Sequence, residues 1–149
     1  MSKRKKALAG GMCALGVALL LAVFALFRGY FDQGRFEVKE ATWTPSGPAR
    51  VALVAERSDH QALSSDVYFV LIGDHVFSPT ELRIAYYSQH ALFAAASDCL
   101  SARWADPHNL AVMCRDGVVD SNHIEVRKRQ VGDVAITYVN IPDESSATE

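Results

Sequence analysis

Cysteine is scarce in this chain: three residues in 149, with Cys13 inside an apolar run. Cys99 and Cys114 are the only other thiols, their spacing is no metal signature, and no second pair exists, so a four-cysteine zinc site is excluded. Basic charge is scarce too once the N-terminus is set aside. Lys3, Arg4, Lys5 and Lys6 are four of the fifteen basic residues, and the other eleven face seventeen acidic ones. That leaves the rest of the chain at about −6. The balance argues against nucleic acid as a partner and against an anionic lipid surface. There is no glycine-rich phosphate loop, no Walker motif and no dinucleotide motif. Ser64-Ser65-Asp66 lacks the G-x-S-x-G context of an activated nucleophile and reads as a turn or strand entry. Cys99 and Cys114 have small and apolar neighbours, which do not favour a thiolate. The carboxylate pair Asp143-Glu144 falls in the C-terminal tail.

The five histidines are His60, His75, His90, His108 and His123. A metal site built on one element wants ligands at i, i+2 on a strand or i, i+4 on a helix, and no pair has either spacing. Asp59-His60, Asp74-His75 and Asn122-His123 sit beside strand ends, where Asx side chains bond local backbone. The expectation is polar turn residues, with no metal and no cofactor. An envelope hydrolase or metal-dependent enzyme assembled from dispersed His and Asp residues is the alternative reading.

What the chain does contain is one uncharged run, Ala7 to Phe27, behind the basic Lys3 to Lys6. As a helix it spans ~30 Å, the thickness of a bilayer's hydrocarbon core. Lipid offers backbone amides no partners, so the run is expected to be a transmembrane helix. Its basic flank places the N-terminus in the cytoplasm and the domain after Arg28 outside, in the cell envelope of a bacterium. A cleaved signal peptide is the rival, with Val23-Phe24-Ala25 as a passable cut site, but its apolar core should be only ~7–15 residues long. Either way the following domain is exported. Ala14, Ala18 and Ala22 form a small-residue stripe, a weak motif because alanine is common in such helices.

The layout is a basic flank at 1–6, the membrane helix at 7–27, a juxtamembrane linker at 28–35, one domain at 36–142 and an acidic, Ser-rich tail at 143–149. The tail is expected to be disordered. The domain is expected to be mainly β, a small antiparallel sheet or a sandwich of hairpins. Val67-Tyr68-Phe69-Val70-Leu71-Ile72 is the best central strand, covered on both faces and ended by Gly73-Asp74. Val51 to Ala55 and Leu110 to Cys114 are further apolar strands. Ile124 to Gln130 and Val134 to Ile141 flank a turn at Val131-Gly132-Asp133, which predicts a hairpin. In its second strand Val134, Ile136, Tyr138 and Asn140 share one face, and Ala135, Thr137, Val139 and Ile141 the other. Arg127-Lys128-Arg129 reads as a solvated edge. The segment 79–89 carries two signals. Ser78-Pro79-Thr80-Glu81 is a helix start, yet Leu82, Ile84 and Tyr86 alternate as in a strand. The balance leans to strand, with one short helix as the alternative. Ala91 to Ala96 is equally ambiguous.

Two places look alike. Trp43-Thr44-Pro45-Ser46-Gly47 precedes the apolar strand at Val51, and Trp104-Ala105-Asp106-Pro107-His108-Asn109 precedes the one at Leu110. Each is Trp, a polar turn with Pro, then an apolar strand. This resembles the strand–turn–strand signature in propeller repeats of the periplasmic Tol type. The resemblance covers about ten residues in each copy, and a domain with room for two blades is too small for a closed propeller. It implies two β-hairpins. Both tryptophans are expected to pack in the core, since aromatics dominate cores.

In an oxidising compartment Cys99 and Cys114 favour a disulfide. A type I turn centred on Pro107-His108 sets Cys114 opposite Ser101, however, and leaves Cys99 a diagonal neighbour at ~7–8 Å, slightly too far to bridge. A bulge near Leu100 would close the gap.

The functional expectation is a non-enzymatic binding or accessory module of the envelope, anchored by the 7–27 helix and holding an envelope protein partner. A structural subunit acting through that helix is a further alternative. Binding residues concentrate on loops, so the candidates are Trp43, Ser46, Asp106, His108 and Asn109.

Overall fold

A computed structural model describes residues 16–24, 34–59 and 66–142. The chain divides into two compact units, Met1–Gly34 and Arg35–Glu149. In the first unit residues 16–24 form a helix, α1, whose Val17, Leu19, Leu20, Leu21, Val23 and Phe24 are exposed. Among the described residues no helix is long and apolar enough to cross a membrane. Of the expected 7–27 span only 16–24 is described. The basic flank, Cys13, Ala14, His60, the Ser64-Ser65 pair and the acidic tail lie outside the described residues.

The second unit is mainly β. β1 (Arg35–Trp43), β2 (Val51–Ser58), β3 (Val67–Gly73), β4 (Phe93–Ala95) and β7 (Ile124–Arg127) form a five-stranded sheet in the order β1-β2-β3-β4-β7. β5 (Leu100–Asp106), β6 (Asn109–Cys114), β8 (Gln130–Val131) and β9 (Val134–Val139) form a second sheet, ordered β5-β6-β9-β8. One core lies between the sheets, because Ala52, Val54 and Val70 of the first cluster with Ala102, Trp104, Val112 and Ile136 of the second. The other core lies on the outer face of the first sheet. There Val51, Leu53, Ala55, Phe69 and Leu71 meet Leu82 and Ala85 of a helix, α2 (Pro79–Tyr87). Alternation therefore sends successive residues of β2 and β3 into different cores. That explains their unbroken apolar runs, and β3 is the central strand its sequence predicts.

The strand reading of 79–89 is corrected: Pro79–Tyr87 is α-helical. The Ser78 hydroxyl accepts from the Glu81 N–H while the Glu81 carboxylate accepts from the Ser78 N–H at 2.8 Å, a reciprocal cap that satisfies two orphan donors. Pro79 enters with its φ already helical. Leu82 and Ala85, three apart, then land together on the sheet. Phe69 and Phe36 meet Tyr86 at ring separations of 5.0 and 5.9 Å. The competing alternation of Leu82, Ile84 and Tyr86 leaves Ile84 largely exposed.

Three further expectations need revision. The strand expected from Ile124 to Gln130 is two strands: β7 joins the first sheet beside β4, and β8 joins the second beside β9. The expected hairpin shrinks to two pairs, Gln130 with Ala135 and Val131 with Val134, around Gly132-Asp133. Second, the second sheet is mixed, since β6 and β9 run parallel. Passage through a 3-10 turn (Ser121–His123) and through β7 in the opposite sheet supplies the crossover that a parallel pair needs. Third, Ile141 is buried although strand alternation puts it with exposed Ala135 and Thr137. Asn140 has φ +58°, which ends the strand and turns Ile141 inward.

Two bulges set faces. Between Val38 and Glu40 the register of β1 on β2 slips, so Val38 lies opposite Ala55 but Glu40 lies opposite Val54. A one-residue slip exchanges faces. Glu40 and Thr42 thus point to the side of the second sheet, while Val38 packs with the α2 core. The other bulge, at Ala105, lies between Trp104 and Asp106. It pairs Leu100 with Cys114, so Cys99 comes one step from Cys114. The Cα atoms are 4.8 Å apart and the sulfurs are at disulfide distance, 2.07 Å. The bulge that the bridge requires therefore exists, next to the turn rather than near Leu100.

Candidate functional site

Both places that look alike in sequence are hairpin turns, and the fold brings them to one end of the domain. The first, between β1 and β2, is ordered by Thr44. Its hydroxyl donates to the Pro48 carbonyl at 3.0 Å and accepts from the Arg50 N–H at 3.2 Å. Gly47 takes φ +79°, and a side chain there would meet Pro107 of the second turn at 3.2 Å. The positive φ and this close approach both call for glycine. The second turn, Asp106 to Asn109, is held from within: the Asp106 carboxylate accepts from the His108 N–H at 2.8 Å and from the Asn109 amide at 2.7 Å. These bonds, the Asn109 amide first, lower the Asp106 carboxyl below the usual range.

The turns are stitched by a residue that no sequence signal singles out. Arg50 donates to the Pro107 carbonyl at 3.3 Å and to Asp133 Oδ2 at 2.9 Å. Asp133 belongs to a third turn, Gly132-Asp133, and its Oδ2 also lies 3.0 Å from His108 Nδ1. The Arg50 guanidinium is the first cause of the lowered Asp133 pKa, so this carboxylate stays charged at neutral pH. The His108 carbonyl accepts from the Ala135 N–H at 2.8 Å, tying the second turn to β9. One arginine thus spans three turns. Its signal in the sequence is only its place at a strand entry after the Pro45-Ser46-Gly47-Pro48 stretch.

All five candidate residues lie on or beside this end, with different roles. Ser46 and His108 are exposed at the turn tips. Asp106 and Asn109 spend their polar atoms on the turn itself. Trp43 is 48% exposed, which corrects the expectation of a packed core residue for this tryptophan. Trp104 is 5% exposed, and its indole N–H donates to the Thr42 carbonyl at 2.9 Å. It is a packing residue that joins β5 to β1.

Among the described residues no group of three or more His, Cys, Asp and Glu side chains could hold a metal ion. His75 lies between two carboxylates, with Nδ1 2.6 Å from Asp74 and Nε2 3.1 Å from Glu81. Ser78 donates its hydroxyl to Glu81 at 2.7 Å. Its hydroxyl is bonded to a carboxylate rather than to the imidazole that would activate it. Comparison with family models, with curated proteins and with solved structures finds no match to this chain.

Proposed function

We propose that this chain is a single-pass envelope protein whose β-rich domain binds a protein partner at the outer face of a bacterial cytoplasmic membrane. The 7–27 run is the anchor, with the N-terminus inside. The end of the domain built from the three turns is the binding face. The observation that carries the reading is the convergence of the two Trp-flanked turns. Fifty-seven positions separate Arg50 from Pro107, yet they are hydrogen-bonded. Ordered loops lose little entropy when a partner binds, which favours this end over mobile segments. Half-exposed Trp43 adds an aromatic of the kind enriched at interaction hot spots. The negative balance of the domain fits a protein partner better than nucleic acid.

Photo-crosslinking in intact membranes tests this reading. A crosslinker at Ser46 or Ala49 should capture a discrete protein, and one at Thr137 on the outward face of β9 should not. Equal labelling from all three positions, or no adduct from the turns, would count against it.

A further inference from the structure

A second feature lies away from the turns, where the edge of β1 overhangs the outer face of the β5–β6 hairpin. An open groove of about 360 Å³ is lined there by Glu40, Thr42, Ser101, Arg103, Met113 and Arg115. Its volume is in the range of small-molecule sites. The bulge in β1 aims Glu40 into it. One Glu40 oxygen accepts from Arg115 at 2.9 Å, and the other from Ser101 at 3.3 Å and Thr42 at 3.4 Å. Ser101 is a buried polar side chain, 3% exposed, so the anchor point is built into the fold rather than lying loose on the surface. The Cys99–Cys114 bridge and the Arg115 N–H, which donates to the Cys99 carbonyl at 3.0 Å, fix the strand end that carries Arg115.

The charges do not cancel. Glu40 neutralises Arg115, whereas Arg103 makes no ion pair among the described residues. The groove therefore keeps one guanidinium in excess. A guanidinium presents a planar fork that matches a carboxylate bidentately. A single excess charge suits a monoanion, and the nearby Glu40 disfavours a dianion such as phosphate. The oxygens of Glu40 and Thr42 accept hydrogen bonds from a donor beside the ligand's carboxylate. We infer that the groove between β1 and the β5–β6 hairpin binds a small monocarboxylate carrying an adjoining hydrogen-bond donor, with Arg103 on the carboxylate and Glu40 on the donor.

The test uses the full chain in detergent micelles, with arginine side-chain NMR signals and calorimetric titration. L-Lactate is the probe, at about pH 8; lactamide is its neutral counterpart, and inorganic phosphate, mainly doubly charged at that pH, the dianion. Lactate should shift the Arg103 signal saturably at millimolar concentration, while lactamide and phosphate bind at least ten-fold more weakly. Arg103→Ala should weaken lactate at least ten-fold, and Arg35→Ala at the start of β1 should not. Glu40→Gln should free Arg115 and let phosphate bind as well as lactate. A short peptide with a free C-terminus, compared with its amide, separates the two sources of such a carboxylate. Tighter binding of the peptide acid than of lactate supports the site with a chain terminus as its ligand, and the reverse supports it with a free acid. Absence of a shift at Arg103, an equal response to lactamide, or unchanged affinity in Arg103→Ala overturns the inference. Failure here leaves the crosslinking result at the turns untouched.

Discussion

Trp104 sits where β5 meets β1, buried, with its indole N–H on the Thr42 carbonyl. Trp104→Phe removes that donor and leaves the Thr42 carbonyl short of a partner in a part-buried seam. The expected cost is about 2 kcal/mol in chemical denaturation, the scale of an unsatisfied buried group plus a small cavity. The same change at half-exposed Trp43 should cost far less, and equal costs would contradict the roles assigned. His75 is the second instructive residue. Asp74, and after it Glu81, raise its pKa above the ordinary 6.5. A raised pKa means that this contribution to stability is full below about 6.5 and is lost as pH rises through the folded value. Glu81 has the opposite sign. Its carboxyl is lowered to about 2, first by the Ser78 N–H, so its contribution is present above the ordinary 4.5 and is lost as pH falls towards 2. Both groups are exposed, and solvent screens them, so the effect is small. A proton NMR titration should give His75 a midpoint above 6.5, and Asp74→Asn should bring it back down. A wild-type midpoint at or below 6.5 would rule out the clamp.

Among elements, the β5–β6 hairpin shows how one residue changes chemistry at a distance. Ala105 is the extra residue beside the turn, and it shifts every pair from Trp104 back to Leu100. Without it Cys114 would face Ser101. With it the cysteines bridge across a sequence separation of 15. A loop of that size gives about 3 kcal/mol in the chain-entropy account. Cys99→Ala combined with Cys114→Ala should lower unfolding stability by about that amount, read from the denaturation midpoint at unchanged slope. An unchanged midpoint would show that the bridge is idle. The turn chemistry of Asp106-Pro107 was legible in the sequence, but the bulge was not, because Trp-Ala-Asp carries no bulge signature. The helix α2 makes the complementary point. Its reciprocal Ser78–Glu81 cap is a local signal of the right length, and it outweighs strand alternation once a sheet face waits beneath Leu82 and Ala85. The parallel pairing of β6 with β9 had no local signal at all, since it depends on the chain leaving the second sheet after β6, passing through β7 in the first and returning at β8.

For the whole molecule, the proposed export and anchoring predict the redox state and the covalent length together. Intact mass of the protein from native membranes, alkylated without reduction, should correspond to the full chain with only Cys13 modified. Alkylation of Cys99 and Cys114 would place the domain in a reducing compartment, where such bridges are rare. Loss of the first ~25 residues would mean a cleaved signal peptide. Two cores on either side of one sheet also explain why a small chain can keep Val51 to Ala55 of β2 and Val67 to Ile72 of β3 as apolar runs.

Apolar runs by themselves determined the β-rich class and the central place of β3, and turn residues the two Trp-flanked hairpins, because strand patterning and turn chemistry act between near neighbours. Composition determined the negative balance and the long apolar run at the N-terminus. Only the tertiary structure decided that β7 and β8 belong to different sheets, that Asn140 turns Ile141 inward, that Arg50 reaches Asp133, and that Glu40 and Arg115 meet. Each of these joins distant positions or rests on a one-residue slip in pairing. Strand pairing is settled by the packing of whole faces, and a short stretch of sequence does not carry that information.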